Sequence, residues 1–165
     1  MENLRVKGQS PNLKFERMWA YPSKKTFSIP QVKKLINRKK YGTVLDLFSF
    51  PFDKDVLEKL KDTKTETIDV LLFDPPYNNK MYKEHYEDKG SSIYRPVYAK
   101  KLKYEINRVV KPGGIIMKFG WNATRMNNNF EITEIYLISH GGYNLAAPDT
   151  ICSVQKKIFG DILNC

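Results

Sequence analysis

Residues Ile68 to Phe73 read IDVLLF, and the run stops against Asp74-Pro75-Pro76-Tyr77. So short a run suits a strand better than a helix, and apolar residues at nearly every position suit a strand covered on both faces. Proline has no N–H to give to a ladder, so a central strand cannot continue through two of them. A chain built around such a strand is expected to form a mostly parallel sheet between helices. The residues after the strand then lie at its carboxyl end, where sheets of this kind bind ligands.

The remaining pattern fits that frame. Gln31 to Lys40 reads as a short helix behind Pro30, with Val32, Leu35 and Ile36 on one face. Thr43 to Phe48 is a compact apolar strand, broken by Pro51. Asp53 can cap a helix to about Lys61 that turns Val56, Leu57 and Leu60 inward. Tyr94 to Val110 is a helix carrying Ala99, Leu102, Ile106 and Val109, closed by Lys111-Pro112-Gly113-Gly114 with glycine as its cap. Gly114 to Phe119 is a third buried strand. Glu131 to Ser139 and Thr150 to Lys157 flank His140-Gly141-Gly142 as a closing antiparallel hairpin. Residues 1–14 are expected to be a flexible basic arm, 15–30 irregular, 78–93 a long loop, and 15–165 one domain. Asp46 to Phe48, Asp74 to Tyr77 and Phe119 to Trp121 would then converge on one rim.

Composition narrows the class. The 165 residues are 41% hydrophobic, enough for one packed core, and no apolar run approaches the ~18 residues of a membrane span. With no apolar signal segment at the N-terminus and only Cys152 and Cys165 as thiols, a soluble, reducing, cytoplasmic setting is expected. His85 and His140 have no partners at metal-ligand spacing, so no metal is expected. The net charge of +10 is uneven: residues 1–40 hold 11 of the 28 Lys and Arg and only Glu2 and Glu16 as acids. Such a one-sided basic segment suits a polyanion, although a merely solubilising surface would look the same.

Asp74-Pro75-Pro76-Tyr77 carries the chemistry. An exocyclic amino group on a purine is a poor nucleophile because its lone pair is delocalised into the ring. Acceptors placed against its hydrogens pull the nitrogen toward a tetrahedral form and expose the lone pair. The Asp74 carboxylate supplies one acceptor and the Pro75 carbonyl another, held stiffly by two fixed proline dihedrals. Tyr77 offers a flat face to a base taken out of its stack, an interaction worth ~1–3 kcal/mol per base. A plain proline-rich turn at the end of a strand is the alternative.

The chain resembles the amino-methyltransferases whose catalytic loop reads D/N-P-P-Y/F, and within them the small adenine-specific DNA methylases of phages and archaeal viruses. The resemblance rests on Met18-Trp19-Ala20-Tyr21-Pro22-Ser23-Lys24, Thr26-Phe27-Ser28-Ile29 and the LFDPPYNN string. It extends to KPGG followed by Phe119-Gly120-Trp121-Asn122, and to His140-Gly141-Gly142 with Asp149-Thr150-Ile151. It implies a Rossmann-like sheet, S-adenosylmethionine as donor, and methylation of the 6-amino group of adenine in double-stranded DNA. It also implies donor binding at Phe27, Asp46, Phe48, Ser49 and Asp74.

The chain departs from the family pattern after its first strand. Asp46-Leu47-Phe48-Ser49-Phe50-Pro51 lacks the expected glycine, and only 27 residues separate Asp46 from Asp74. The strand that the family places there, ending in a ribose-binding acid, is therefore expected to be deleted or shrunk to Asp53–Asp62, with Asp53, Asp55 and Asp62 as candidate replacements; the alternative is that Leu45 to Leu60 is the later helical piece and the first strand is lost. A homodimer in which a partner rebuilds that wall is expected.

Contacts to DNA are expected from Lys24, Lys25, Lys80, Lys83, Arg95, Trp121, Asn122 and Arg125, with further phosphate contacts from Lys33-Lys34 and Arg38-Lys39-Lys40. Two alternatives stay open. One is the same chemistry on cytosine, RNA or a protein glutamine. The other is a catalytically inactive DNA-binding protein that keeps the fold.

Overall fold

A computed structural model describes residues 9–23, 25–49, 55–76, 95–141 and 149–158. The strands are β1 (Gln9–Trp19), β2 (Val44–Asp46), β3 (Ile68–Phe73), β4 (Val110–Gly120), β5 (Phe130–Ser139) and β6 (Thr150–Lys157). The helices are α1 (Pro30–Lys39), α2 (Val56–Asp62) and α3 (Pro96–Val109). One sheet takes the order β1-β5-β6-β4-β3-β2. The β1–β5, β2–β3 and β3–β4 pairs are parallel, and β6 runs antiparallel to both β4 and β5. This is the expected Rossmann-like α/β sheet, mostly parallel with an antiparallel hairpin.

Alternation along the strands sorts the core into two layers. Val70 and Leu72 of β3, Met117 and Phe119 of β4, Tyr136 and Ile138 of β5 and Cys152 and Val154 of β6 pack against α1 through Val32 and Leu35. Ile68, Leu71 and Phe73, with Ile116 and Phe130, pack on the opposite face against Leu57 and Leu60 of α2 and Leu102, Ile106 and Val109 of α3. Both faces of β3 are therefore buried, as IDVLLF required.

Polar side chains close the helix ends. The Asp55 carboxylate accepts the N–H groups of Leu57 (2.9 Å) and Glu58 (3.3 Å), and the Tyr98 hydroxyl donates to its other oxygen at 2.8 Å. One carboxylate thus caps α2 and fastens it to α3. Arg108 donates to the carbonyls of Leu60 and Thr63 at the far end of α2. Buried Lys157 donates to the carbonyls of Asn107 and Val110 at the end of α3.

Four expectations are corrected. Residues 9–14 belong to β1 and not to a flexible arm, and 15–19 continue that strand instead of being irregular; residues 1–8 lie outside the described residues. Pro11 is tolerated because β1 is an edge strand. The α2 cap is Asp55, and Asp53 lies outside the described residues. The cap of α3 is Val110 and not a glycine, because β4 starts there and runs through Lys111-Pro112-Gly113-Gly114, with Gly113 in the left-handed region (φ 77°).

Replacing Asp55 with alanine removes the side-chain acceptor of the Glu58 N–H and of the Tyr98 hydroxyl, and leaves the Leu57 N–H only its longer bond to the Tyr98 oxygen (3.3 Å). Asp55→Ala is expected to cost about 1–3 kcal/mol in urea unfolding and Tyr98→Phe less. An unchanged Asp55→Ala midpoint would show that the cap is energetically idle.

Candidate active site at the carboxyl rim of the sheet

The carboxyl ends of the five parallel strands define one rim. It carries Ala20 after β1, Asp46 and Leu47 at β2, Asp74-Pro75-Pro76 after β3, Trp121 after β4 and His140 after β5; Asp149-Thr150 at the start of β6 joins them. The three clusters expected to converge do so, on adjacent strands. Tyr77 lies outside the described residues.

Register orients the key side chains. Asp46 pairs with Leu72, which faces α1. Phe73 belongs to the α2–α3 layer, so Asp74, one residue on, turns toward α1. Its charge raises the proton affinity of buried Cys152, which lies in the α1 layer. Phe27, in the 3-10 turn Thr26–Ser28, meets the ring of Phe119 edge-on at 5.2 Å between centroids in that same layer. Asp46, Asp74 and Phe27 are therefore gathered on the α1 side of the rim.

Burial raises the pKa of Asp46, against the opposing effects of the Phe48 N–H, which donates to it at 3.2 Å, and of the Lys59 charge. Lys59 reaches from α2 to donate to the Asp46 carbonyl (3.2 Å) and the Ser49 hydroxyl (3.0 Å), so it fixes the β2 loop. A half-buried carboxylate at the rim suits a cationic ligand group. Phe48 does not line this corner. Its ring is buried edge-on against Phe73, at 5.2 Å, in the α2–α3 layer. Asp55 is occupied as a helix cap.

The loop after β4 is held from beneath. Buried Gln155 accepts the Met126 N–H at 2.7 Å and donates to the Thr124 carbonyl (3.0 Å) and the Ser153 hydroxyl (2.9 Å). Lys118 donates to the Asn122 side-chain oxygen (3.2 Å), the Thr124 carbonyl (3.0 Å) and the Thr124 hydroxyl (2.6 Å). Desolvation, then the charge of Lys103, lowers the Lys118 pKa to about 8. The Asn122 oxygen also accepts from Thr124 N–H and Oγ1, so it acts as a loop clamp and is not open to a base edge. Trp121, next to this clamp, stays 51% exposed. Sequence reasoning missed Lys118, Ser153 and Gln155; polar residues inside strands expected to be buried were the available signal.

A second polar cluster braces the β1–β5 end. Arg17 donates to the Ser139 hydroxyl (3.0 Å), which donates to Asp149 (2.7 Å); Asp149 also accepts the His140 N–H at 3.0 Å. The His140 N–H bond, then the Ser139 hydroxyl, holds the Asp149 carboxyl below its ordinary range. The His140 ring lies between the Ala20 carbonyl (3.0 Å) and the Thr150 hydroxyl (3.3 Å), which makes it a structural brace.

The expected DNA contacts are dispersed. Lys25 is exposed beside Phe27, Arg95 is exposed at the start of α3, and Arg125 is half-buried. Lys24, Lys80 and Lys83 lie outside the described residues. Lys39 pairs with Glu134 and Arg38 with Glu16 (3.5 Å), which removes Lys39 and weakens Arg38 as phosphate ligands. Among the described residues there is no group of three candidate metal ligands, and no helix is long and apolar enough to cross a membrane.

Neither a family model nor a curated protein matches the chain. Solved structures similar in outline include a proposed DNA modification methylase from Thermus thermophilus, at 16% identity, covering 73% of this chain and 54% of that one, with a TM-score of 0.41. A proposed type 11 methyltransferase from Sulfolobus solfataricus matches at 12% identity over 90% and 86% of the two chains, with a TM-score of 0.40. A proposed methyltransferase from Escherichia coli matches at 9% identity over 89% and 76%, with a TM-score of 0.43. The chain spans about half the length of the Thermus protein. Likenesses this distant do not assign chemistry, which has to come from the site.

The Lys118 pKa has a signed consequence. Between about 8 and its ordinary 10.5, the folded chain has released a proton that the unfolded chain still binds, so stability rises with pH across that window. Burial raises the Cys152 thiol, which opposes the trend above pH 9. Urea unfolding between about pH 8 and 9 should show a positive slope in wild type that is smaller in Lys118→Met. Equal slopes in the two proteins would mean that Lys118 is not desolvated.

Proposed function

We propose that this protein transfers a methyl group from S-adenosylmethionine to the exocyclic 6-amino group of adenine in double-stranded DNA. The observation that carries the reading is the position of Asp74-Pro75-Pro76 at the carboxyl end of doubly covered β3, between the ends of β2 and β4.

The donor would be held by Asp46, Asp74 and Phe27. Two carboxylates on the α1 side match its cationic ammonium and sulfonium, and an aromatic edge suits a flat adenine. When bound, it supplies an electrophilic methyl group. The chain's own residues do the rest. The Asp74 carboxylate and the Pro75 carbonyl accept hydrogen bonds from the target amino group, and the rigid backbone fixes their direction. Transfer would form the nitrogen–carbon bond as the carbon–sulfur bond breaks to leave a neutral thioether; Asp74 would stabilise the positive charge on nitrogen until its proton passes to solvent. Tyr77 stacks on the extruded base. Lys25, Arg95 and Arg125, together with Lys24, Lys80 and Lys83, would meet phosphates, which makes binding strongly salt-dependent.

A second reading is an inactive DNA-binding protein that keeps the fold. It is favoured by β2, a three-residue strand at the sheet edge with no further strand beyond it among the described residues. Among the described residues, that arrangement gives the donor corner no second wall.

Incubation of random duplex DNA with labelled donor, followed by mapping of the modified base, tests the primary reading; 6-methyladenine is the expected product. Asp74→Ala should reduce methylation by at least a hundredfold, an order expected when a transition-state acceptor is lost, with DNA affinity within about twofold. Tyr77→Ala should lower turnover severely and Tyr77→Phe mildly, because the ring face is what acts. Wild-type turnover in Asp74→Ala would remove the mechanism, and no calorimetric donor binding with or without DNA would favour the binding protein.

A further inference from the structure

Strand β1 is the far edge of the sheet, and its amphipathic pattern is inverted. Lys14, Glu16 and Met18 face the α1 side: Glu16 pairs with Arg38 of α1, and Met18 packs on the core of that layer. Leu13, Phe15, Arg17 and Trp19 therefore project from the opposite face. α2 and α3 cover that face over β3 and β4, but Phe15 is 62% and Trp19 60% exposed. Beside them, Ile135 and Leu137 of β5 and Ile151 of β6 are half-buried. The strand thus turns its apolar residues to solvent.

Among the described residues, the backbone at this edge has no partner strand, and its open groups follow a definite pattern. The Ala20 N–H donates to the Ser139 carbonyl at 3.0 Å, so even-numbered residues direct their amides to β5. Adjacent residues in a strand direct theirs to opposite sides, so along the regular ladder from Lys14 to Trp19 it is Phe15, Arg17 and Trp19 that turn N–H and C=O to the open edge. The same residues therefore carry both the outward amides and the uncovered apolar side chains.

We infer that a second copy of this chain pairs here, β1 antiparallel to β1 across a two-fold axis at Phe15. Antiparallel pairing requires outward amides to face outward amides, which places the axis on an odd-numbered residue. An axis at Arg17 would oppose two arginines. An axis at Phe15 opposes Phe15 to the partner's Phe15, and Lys14 to the partner's Glu16 on each side of it. Before Lys14 the chain departs from the β5 register, so the regular part of the pairing is centred on Lys14, Phe15 and Glu16. Because the axis is perpendicular to the sheet, the apolar patches of the two copies join on one face. Charge self-complementarity within a single strand selects this register and makes the contact isologous.

The interface lies at the opposite end of the sheet from β2. A partner seated on β1 does not rebuild the missing donor wall, and the two rims face in opposite directions. The dimer is independent of the proposed methyl transfer.

Sedimentation over a concentration series tests it. Wild type should be a dimer that dissociates on dilution. Phe15→Pro removes one outward N–H without removing any bond to β5, and should be monomeric. Lys14→Glu should also be monomeric, and Lys14→Glu combined with Glu16→Lys should regain the dimer. In a Cys165→Ser background, Phe15→Cys should form an intermolecular disulfide under mild oxidation, since it would meet its own copy across the axis; this reports the register even if the other variants fold poorly. A wild type that is monomeric throughout, dimers that survive both Phe15→Pro and Lys14→Glu, or an absent crosslink in Phe15→Cys would each overturn the proposal.

Discussion

A strand hydrogen-bonded on both sides cannot continue through two prolines. Strand β3 lies between β2 and β4, and its ladder must end where Pro75 and Pro76 withhold their N–H groups. That constraint opens the rim, fixes the backbone after Phe73, and leaves Asp74 half-buried at its mouth. Both faces of β3 are packed, so the strand cannot slip in register without carrying Val70 and Leu72 out of one layer and Leu71 and Phe73 out of the other. The position of the carboxylate is inherited from the packing of the strand that precedes it.

The rest of the rim is held by polar groups. Gln155 and Lys118 brace the Trp121–Met126 loop from below, and Arg17, Ser139, Asp149 and His140 brace the other end. An unpaired buried amide or carbonyl costs about 1–3 kcal/mol, so a loop fastened by several such bonds has few alternative positions. A site whose acceptors must be aimed before the substrate arrives benefits from that stiffness. Trp121 is presented to solvent by a loop that cannot collapse onto it.

Legibility in the sequence followed the physics of each element. β3 and β6 were read to the residue, because a doubly covered strand leaves an unbroken apolar run and β6 is bounded by turn residues. Helices α1 and α3 were read to within two residues from their period and their leading prolines. β1 was missed because its apolar residues point away from the core, so alternation carried no sign of which face was inside. Phe48 was assigned to the donor although its ring belongs to the core. Asn122 was assigned to base reading, but its oxygen is committed to Lys118 and Thr124. No one-dimensional pattern distinguishes an amide that reads a ligand from one that clamps its own loop; the difference is which neighbours the fold supplies.

The same lesson applies to charge. Residues 1–40 carry most of the net positive charge in the sequence, but part of it is internal to the fold. Lys14 and Arg38 share Glu16, Lys39 is committed to Glu134, and Arg17 lies over the Trp19 ring and bonds to Ser139. These groups hold β1, β5 and α1 together around the buried Tyr136, whose ring receives Lys14 and Arg38. Exposed cations of the described residues include Lys33 and Lys34 on α1 and Lys100, Lys101 and Lys103 on α3, on opposite faces of the sheet, and others such as Lys40, Lys61, Lys64 and Lys156 lie elsewhere. Between those faces lies the rim. A duplex approaching Asp74 would meet positive charge from both flanks, an arrangement that draws a polyanion toward the edge of the sheet more than onto either face.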